Sequence, residues 1–470
     1  MKRILCVVFA IVLVFALCAC GESGSDAKRE GLYVGFGRQS VTPEGYEVHM
    51  AGGDWKSRKT SSFRDQLCAT CIAFTEGGQT LLVFTLDYLE ANDVFVNPAR
   101  EAIFAATGVP VENIWMNATH THASVGIAYE WDKTQTYREF FNKACVKAAE
   151  TAISDQSKGV VYYGGVETEG MAFVRHYNMA DGTVAGANFG SFSGTILGHT
   201  VEADTELQLV NIVREEEGKK DILMMSFPAH CTMNQTSTVL SADYPYTART
   251  YIEANADMHV AFFQGASGDQ VPTSKIAGES FSADYKIYGE QLGKYALEGI
   301  SSLSLQENAN LNFASKTYVG QSNKENIEKL PDAQTVQKVI DQYGKSSQEA
   351  KAAALQYGFS SVYESTAVIS RSKSEETRML EMRVFSLGDV GFVLAPYEMF
   401  CNHSIQIKTD SPFKETFMIT LGQGGHGYLP TIEAFEYGSY EACVSNFARG
   451  TGETLAGEYV NMLAALQKAE

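Results

Sequence analysis

The stretch "DILMMSFPAHCT", residues 221–232, is an apolar run that stops at a proline and then presents a histidine. It is too short for a stable helix, and its apolar residues do not alternate with polar ones. Such a run, bounded by turn residues, predicts a strand buried on both faces. Six others share the pattern: "TLLVFTLD" (80–87), "NIWMNA" (113–118), "GVVYYGG" (159–165), "HVAFFQ" (259–264), "GFVLA" (391–395) and "FMITL" (417–421). Between 134 and 153, Tyr137, Phe140, Phe141, Ala144, Cys145, Ala148 and Ala149 recur at three- and four-residue steps, which predicts a helix with one apolar face. A second helix is expected over 284–300, and the polar, Ala-rich stretch near 324–356 reads as an exposed helical insertion. Strands interleaved with helices predict an α/β fold, a mixed β-sheet core flanked by helices. No internal repeat is visible.

Polar residues gather just past the apolar runs. After "NIWMNA" come Thr119, His120 and His122; after "DILMMSFPA" comes His230; after "HVAFFQGASG" comes Asp269. After "GFVLAPY" comes Glu398, and after "FMITLGQGG" come His426 and Tyr428. Sites in α/β proteins form in loops beyond the carboxyl ends of strands, so five strand ends that each deliver a titratable side chain predict one site there. An isolated H-x-H pair is as readily two hydrogen-bonded histidines. His120, His230 and Glu398 together make a two-histidine, one-carboxylate set, which suits a catalytic zinc ion with one position open to water. The spacings match no short zinc motif, and H-E-x-x-H is absent.

The N-terminus reads "MKRILCVVFAIVLVFALCAC". Two basic residues, a short apolar run and a small residue before Cys20 predict a lipoprotein signal peptide, residues 1–19, cleaved to leave a lipidated Cys20. Residues 20–32 then form a polar tether, and 33–470 the catalytic domain. This places the chain in the cell envelope, anchored through that lipid on the extracytoplasmic side of a bacterial membrane. The net charge of −19 excludes nucleic acid as a partner. Cys68, Cys71, Cys145, Cys231, Cys401 and Cys443 read mostly as buried thiols, with room for one or two disulfides.

Several segments, taken in order, resemble the neutral/alkaline non-lysosomal ceramidase family in its N-terminal catalytic domain: "GFGRQSVTP" (35–43), "ATHTHAS" (118–124), "FVRHYN" (173–178), "FPAHCT" (227–232), "SADYP" (241–245), "FFQGASGDQVP" (262–272), "APYE" (395–398) and "HGYLPTIEAFEYGSYEA" (426–442). The resemblance implies a zinc ion held by His120, His230, Glu398 and Tyr428, with His122, Arg175 and Tyr440 as catalytic residues around it. It also implies hydrolysis of an amide bond in an N-acyl amide or sphingolipid-like substrate. Three positions depart from the family pattern: Ser40 stands where the family has the aspartate of G-x-G-x-x-D-I-T, Val271 where it has the serine of G-D-V-S-P, and Val174 where it has the asparagine of N-R-S. The alternatives are a surface lipoprotein that binds a lipid or other ligand without turnover, and a zinc esterase or amidase for a non-lipid substrate. A serine hydrolase using Ser267 in "GASGD" is the remaining rival, although the elbow motif G-x-S-x-G fails at Asp269.

Overall fold

Seven strands predicted from apolar runs fall into two sheets that pack face to face. The computed structural model describes residues 30–52, 57–186 and 194–468; the signal segment, Cys20 and most of the tether lie outside the described residues. The larger sheet runs, in spatial order, Met258–Gln264, Asp221–Phe227, Glu206–Arg214, Ser157–Glu167, Tyr33–Ser40, Cys68–Glu76, Gln79–Leu86 and Ile114–Ala118, with Ser304–Gln306 paired to Ser157–Glu167. The smaller one runs Leu311–Gln321, Thr377–Leu387, Val390–Leu394, Glu415–Ile419. Both are mixed. Only the pairs Asp221–Phe227 with Met258–Gln264, Gln79–Leu86 with Ile114–Ala118, and Val390–Leu394 with Glu415–Ile419 are parallel.

The lack of alternation in the strands now has its cause. Side chains alternate between two faces, and here both faces are dry. Ile222 and Met224 join Trp115, Phe263, Phe392 and Phe417 in the layer between the sheets. Their neighbours Leu223, Met225 and Phe227 pack outward on Tyr244, Ile252, Tyr288 and Leu292, from the helices Asp243–Asn255 and Tyr285–Ile300. The helices Asp93–Thr107 and Thr134–Ser154 cover the rest of that outer face. Cys401–Asp410 and Thr451–Gln467 cover the outside of the smaller sheet. The result is four layers: helix, sheet, sheet, helix. Gly35 and Gly37 set the closeness of the Thr134–Ser154 helix, since a Cβ on either would lie about 2 Å from the carbonyls of Ala152 and Ala148. No helix among the described residues is long and apolar enough to cross a membrane.

One arrangement is used three times without any repeat in the sequence. A two-stranded hairpin leads into a helix, which returns a strand parallel to the second strand of the hairpin. The units are Cys68–Glu76, Gln79–Leu86, Asp93–Thr107, Ile114–Ala118; then Glu206–Arg214, Asp221–Phe227, Asp243–Asn255, Met258–Gln264; then Thr377–Leu387, Val390–Leu394, Cys401–Asp410, Glu415–Ile419. The carboxyl ends of the three parallel pairs meet. Thr420 donates its N–H to the Gln264 carbonyl at 2.8 Å, and Ala118 donates to Leu421 at 3.1 Å. The polar stretch near 324–356 becomes the helices Leu330–Tyr343 and Gln348–Gln356, joined by Val362–Ser372 over a small core of Ala333, Val336, Ala350, Phe359 and Val368.

The six cysteines from Cys68 onward are all free, and five of them are buried. Cys68 and Cys71 stand three apart on one strand, so they face opposite sides and cannot bridge.

Candidate metal centre

Each repeated unit supplies part of one cluster. The first ends at Ala118, and the next residues turn sharply: His120 has φ 67°, a conformation that costs a non-glycine residue roughly 1–2 kcal/mol. The turn lets His120 Nδ1 reach the carbonyl of Leu89 at 2.6 Å and aims Nε2 inward. Strand geometry does not hold the second histidine; His122 is fixed by its N–H, which donates to Cys231 O at 3.2 Å. In the second unit, Pro228 closes the strand. His230 then donates its N–H to Gln270 O at 3.1 Å and turns its ring Nδ1 onto the carbonyls of Ser267 and Gln270. In the third, Glu398 comes after the Val390–Leu394 strand and pairs in register with Tyr428, so the two side chains stand side by side on one face.

The atoms converge closely. His120 Nε2 lies 2.9 Å from His230 Nε2 and 3.4 Å from His122 Nε2, and Glu398 Oε2 is 3.2 Å from both His120 Nε2 and His230 Nε2. Backbone carbonyls only accept hydrogen bonds, so Nδ1 of His120 and of His230 must carry the ring proton. Both Nε2 atoms then present lone pairs to each other and to a carboxylate oxygen that receives no hydrogen bond. Bare lone pairs at such distances repel. A divalent cation removes that repulsion, because ligands about 2.0–2.2 Å from zinc stand roughly 3.3 Å apart in a tetrahedron. The donor set fits a metal ion of the borderline-soft kind, and His120, His122 and His230 together have the spacing of a metal-holding group.

Electrostatics agree with that geometry. Burial, with His120 and Arg175 nearby, lowers the His230 ring to about 4, so it is neutral at physiological pH. His122 is likewise pushed well below its ordinary value by burial and by the His120 and His230 rings. Burial raises Glu398, while positive charge on the His120 and His230 rings pulls it well below the usual carboxylate range; with those rings neutral, a cation between them acts in the same sense. Burial and the Glu398 charge raise the Tyr428 phenol, with Arg175 opposing them.

Arg175 and Tyr440 stand beside this cluster. The Arg175 guanidinium lies 5.5 Å from the Tyr428 ring and is locked by Glu441 at 2.6 Å and Gly268 O at 2.8 Å. Tyr440 opens the helix Tyr440–Val444, with its ring centroid 5.9 Å from that of Tyr428. A cleft of about 480 Å³ opens over the cluster, walled by His122, Arg175, His230, Val271, Tyr428 and Tyr440 among others.

Two strand-end residues do not join the cluster. Asp269 is buried and turned away, accepting the N–H of Cys401 at 2.8 Å. His426 packs against Phe447 instead, at 6.2 Å. Ser267 is sealed in the core with its hydroxyl unpartnered, and it meets His230 through its carbonyl, not its Oγ. A serine-nucleophile arrangement is therefore absent there. The sequence reading missed Glu441 and His176, which form one buried network with Arg175: Glu441 Oε2 is 2.8 Å from His176 Nε2, and His176 Nδ1 is 2.9 Å from the Tyr437 hydroxyl. The signal was adjacency, since Glu441 is next to Tyr440 in the chain and His176 is next to Arg175.

No protein-family model matches the chain, and no curated protein matches its sequence. Solved structures do match. The neutral ceramidase from Pseudomonas aeruginosa superposes with a TM-score of 0.68 at 16% identity, covering 94% of this chain and 75% of that one. A ceramidase complexed with C2 gives the same TM-score and identity over 94% and 76%. The chain therefore shares the neutral ceramidase fold.

Proposed function

We propose that the chain is a zinc-dependent hydrolase of an amide bond in an N-acyl amide or sphingolipid-like substrate. One observation carries the reading: the Nε2 lone pairs of His120 and His230 and a carboxylate oxygen of Glu398 converge at 2.9–3.2 Å with no proton between them, and a third imidazole nitrogen, from His122, stands 3.4 Å from His120. His120, His230, Glu398 and Tyr428 would hold the ion. Bound there, zinc supplies Lewis acidity and brings the pKa of a water toward ~7.

The chain's own residues do the rest. His122 is neutral and lines the cleft, so it accepts a proton from the attacking water and returns it to the departing amine nitrogen. The water oxygen bonds to the acyl carbon, the C–N bond breaks, and a carboxylic acid and an amine leave. Tyr440 donates its hydroxyl to the carbonyl oxygen as negative charge develops there. Removal of one such donor costs about two to three orders of magnitude in turnover. Arg175 adds positive charge behind Tyr428.

The proposal extends to the cell envelope: a lipid on Cys20 would tether the domain to the membrane that supplies a lipid amide. The test is an N-acyl amide panel assayed before and after chelation, with zinc added back. Activity lost to the chelator and restored by zinc supports the reading. Turnover that survives metal removal refutes it, and binding without turnover in the zinc-loaded protein leaves a ligand-binding lipoprotein.

A further inference from the structure

The cleft walls carry a charge pattern that amide hydrolysis alone does not require. The chain has 56 acidic and 37 basic side chains, so an average patch of its surface is negative. The cleft is not. Arg175 and Lys275 line it together with Thr232, Gln235, Thr273 and the three tyrosines Tyr363, Tyr428 and Tyr440, and among the described residues no Asp or Glu is on its walls. Past Tyr363 and Tyr440, which belong to both, the space continues into a second hollow of about 900 Å³. Its walls are the turn from Tyr343 to Ser347 and the face of the Val362–Ser372 helix that carries Thr366 and Ser370. Again no carboxylate lines it among the described residues. The carboxylates near the cluster do not face these walls: Glu398 meets His120 and His230, Glu441 meets Arg175 and His176, and Glu90, close enough to interact with Glu398 and His120, lines a separate small hollow.

The second hollow is also the wrong surface for an alkyl chain. Among the described residues Ala367 and Val444 are its only aliphatic wall residues; hydroxyls, phenol rings and one lysine make up the rest, with Gly344. The rings form a ladder that leads away from the metal-ligand side chains. Tyr428 and Tyr440 centroids are 5.9 Å apart, Tyr440 and Tyr363 5.2 Å, and the ammonium of Lys345 stands 4.3 Å from the Tyr363 ring. A lysine resting on a ring, on a chain with a surplus of carboxylates, keeps its charge available to a ligand.

We propose that the groove selects an amide whose polar arm carries an anionic group, a carboxylate or a phosphate, laid along Tyr428, Tyr440 and Tyr363 with its charge at Lys345. The amide part of this statement rests on the hydrolase reading; the anion-binding part does not. Lys275 adds to the field nearer the histidines.

Three probes with the same acyl chain separate the possibilities: an N-acylglycine (carboxylate), an N-acylethanolamine (neutral) and its phosphate ester. The expected result is a lower KM for one or both anionic probes than for the neutral one, with the better of the two naming the anion. Lys345→Ala should raise that KM about fivefold, near the upper range for a solvent-exposed ion pair, and Lys345→Glu more than tenfold. In both variants kcat and the KM of the neutral probe stay within twofold. Lys345 is exposed in a turn, so neither change threatens folding. Equal or better use of the neutral amide, or equal damage to all three probes, overturns the proposal. If no probe is hydrolysed, calorimetric titration of the zinc-loaded protein with the N-acylglycine decides: binding that Lys345→Glu weakens upholds the groove and sinks the hydrolase, and no binding sinks the groove.

Discussion

Glu441→Gln is the substitution whose cost can be worked most directly from the structure. Glu441 is 1% exposed and Arg175 is 3% exposed, and Nε of Arg175 lies 2.6 Å from Glu441 Oε1 while His176 holds the other oxygen at 2.8 Å. Burial would raise the carboxyl, but Arg175 and then His176 outweigh it and hold it at about 2. The glutamine keeps the shape and removes the charge, leaving a guanidinium buried without its counter-ion. Breaking such a pair costs about 3–5 kcal/mol, a large fraction of the roughly 5–15 kcal/mol that holds a native protein together. Urea unfolding monitored by tryptophan fluorescence measures it, since Trp115 is buried between the sheets. The double variant Arg175→Met/Glu441→Gln removes both charges and should regain much of the loss. The pH dependence has a fixed sign. A carboxyl depressed on folding contributes stability above its unfolded pKa near 4.5, and that contribution fades as pH falls toward 2. The gap between wild type and Glu441→Gln should therefore be constant from pH 7 to about 5 and shrink below that. A Glu441→Gln protein within about 1 kcal/mol of wild type, or a double variant no more stable than the single, refutes the account of this network.

The same geometry has other consequences. Ser267→Ala should leave turnover within about twofold, because its hydroxyl is buried and unpartnered; a loss of a hundredfold in kcat would restore the serine nucleophile. His230 titrates near 4 in the folded chain and near 6.5 when unfolded, so the unfolded chain binds the extra proton between those values. The urea midpoint of metal-free protein should thus fall as pH drops from about 6.5 to 4, with a smaller slope in His230→Gln, and an equal slope contradicts the assignment. Radiolabelled palmitate fed to cells expressing the full chain should label it, and Cys20→Ser should abolish the label; persistent labelling moves the anchor elsewhere.

What could be read from the sequence depended on burial. Strands dry on both faces announce themselves as unbroken apolar runs, and Asp221–Phe227 matches its run "DILMMSF" residue for residue. Thr377–Leu387 was not evident because Arg378, Glu381 and Arg383 interrupt it, although Leu380, Met382 and Val384 still turn to the core. The threefold hairpin–helix–strand arrangement left no trace in the sequence, since core layers ask for apolar volume and not for identity. Strand ends were a sound guide to where polar side chains gather but not to which way they point. His120, His230 and Glu398 turn inward, whereas Asp269 and His426 leave strand ends of the same kind and turn into packing roles. For pairings between distant segments, such as Arg175 with Glu441, the sequence offers no more than adjacency to a site residue, which places Glu441 beside Tyr440 but does not say what it pairs with.

X-ray absorption at the zinc edge of the zinc-reconstituted protein tests the central claim most directly. The account predicts one zinc per chain, a shell of only nitrogen and oxygen neighbours at about 2.0–2.2 Å, and outer scattering from imidazole rings that weakens in His230→Ala. Zinc–sulfur distances near 2.3 Å, or a protein that takes up no zinc at all, would contradict it.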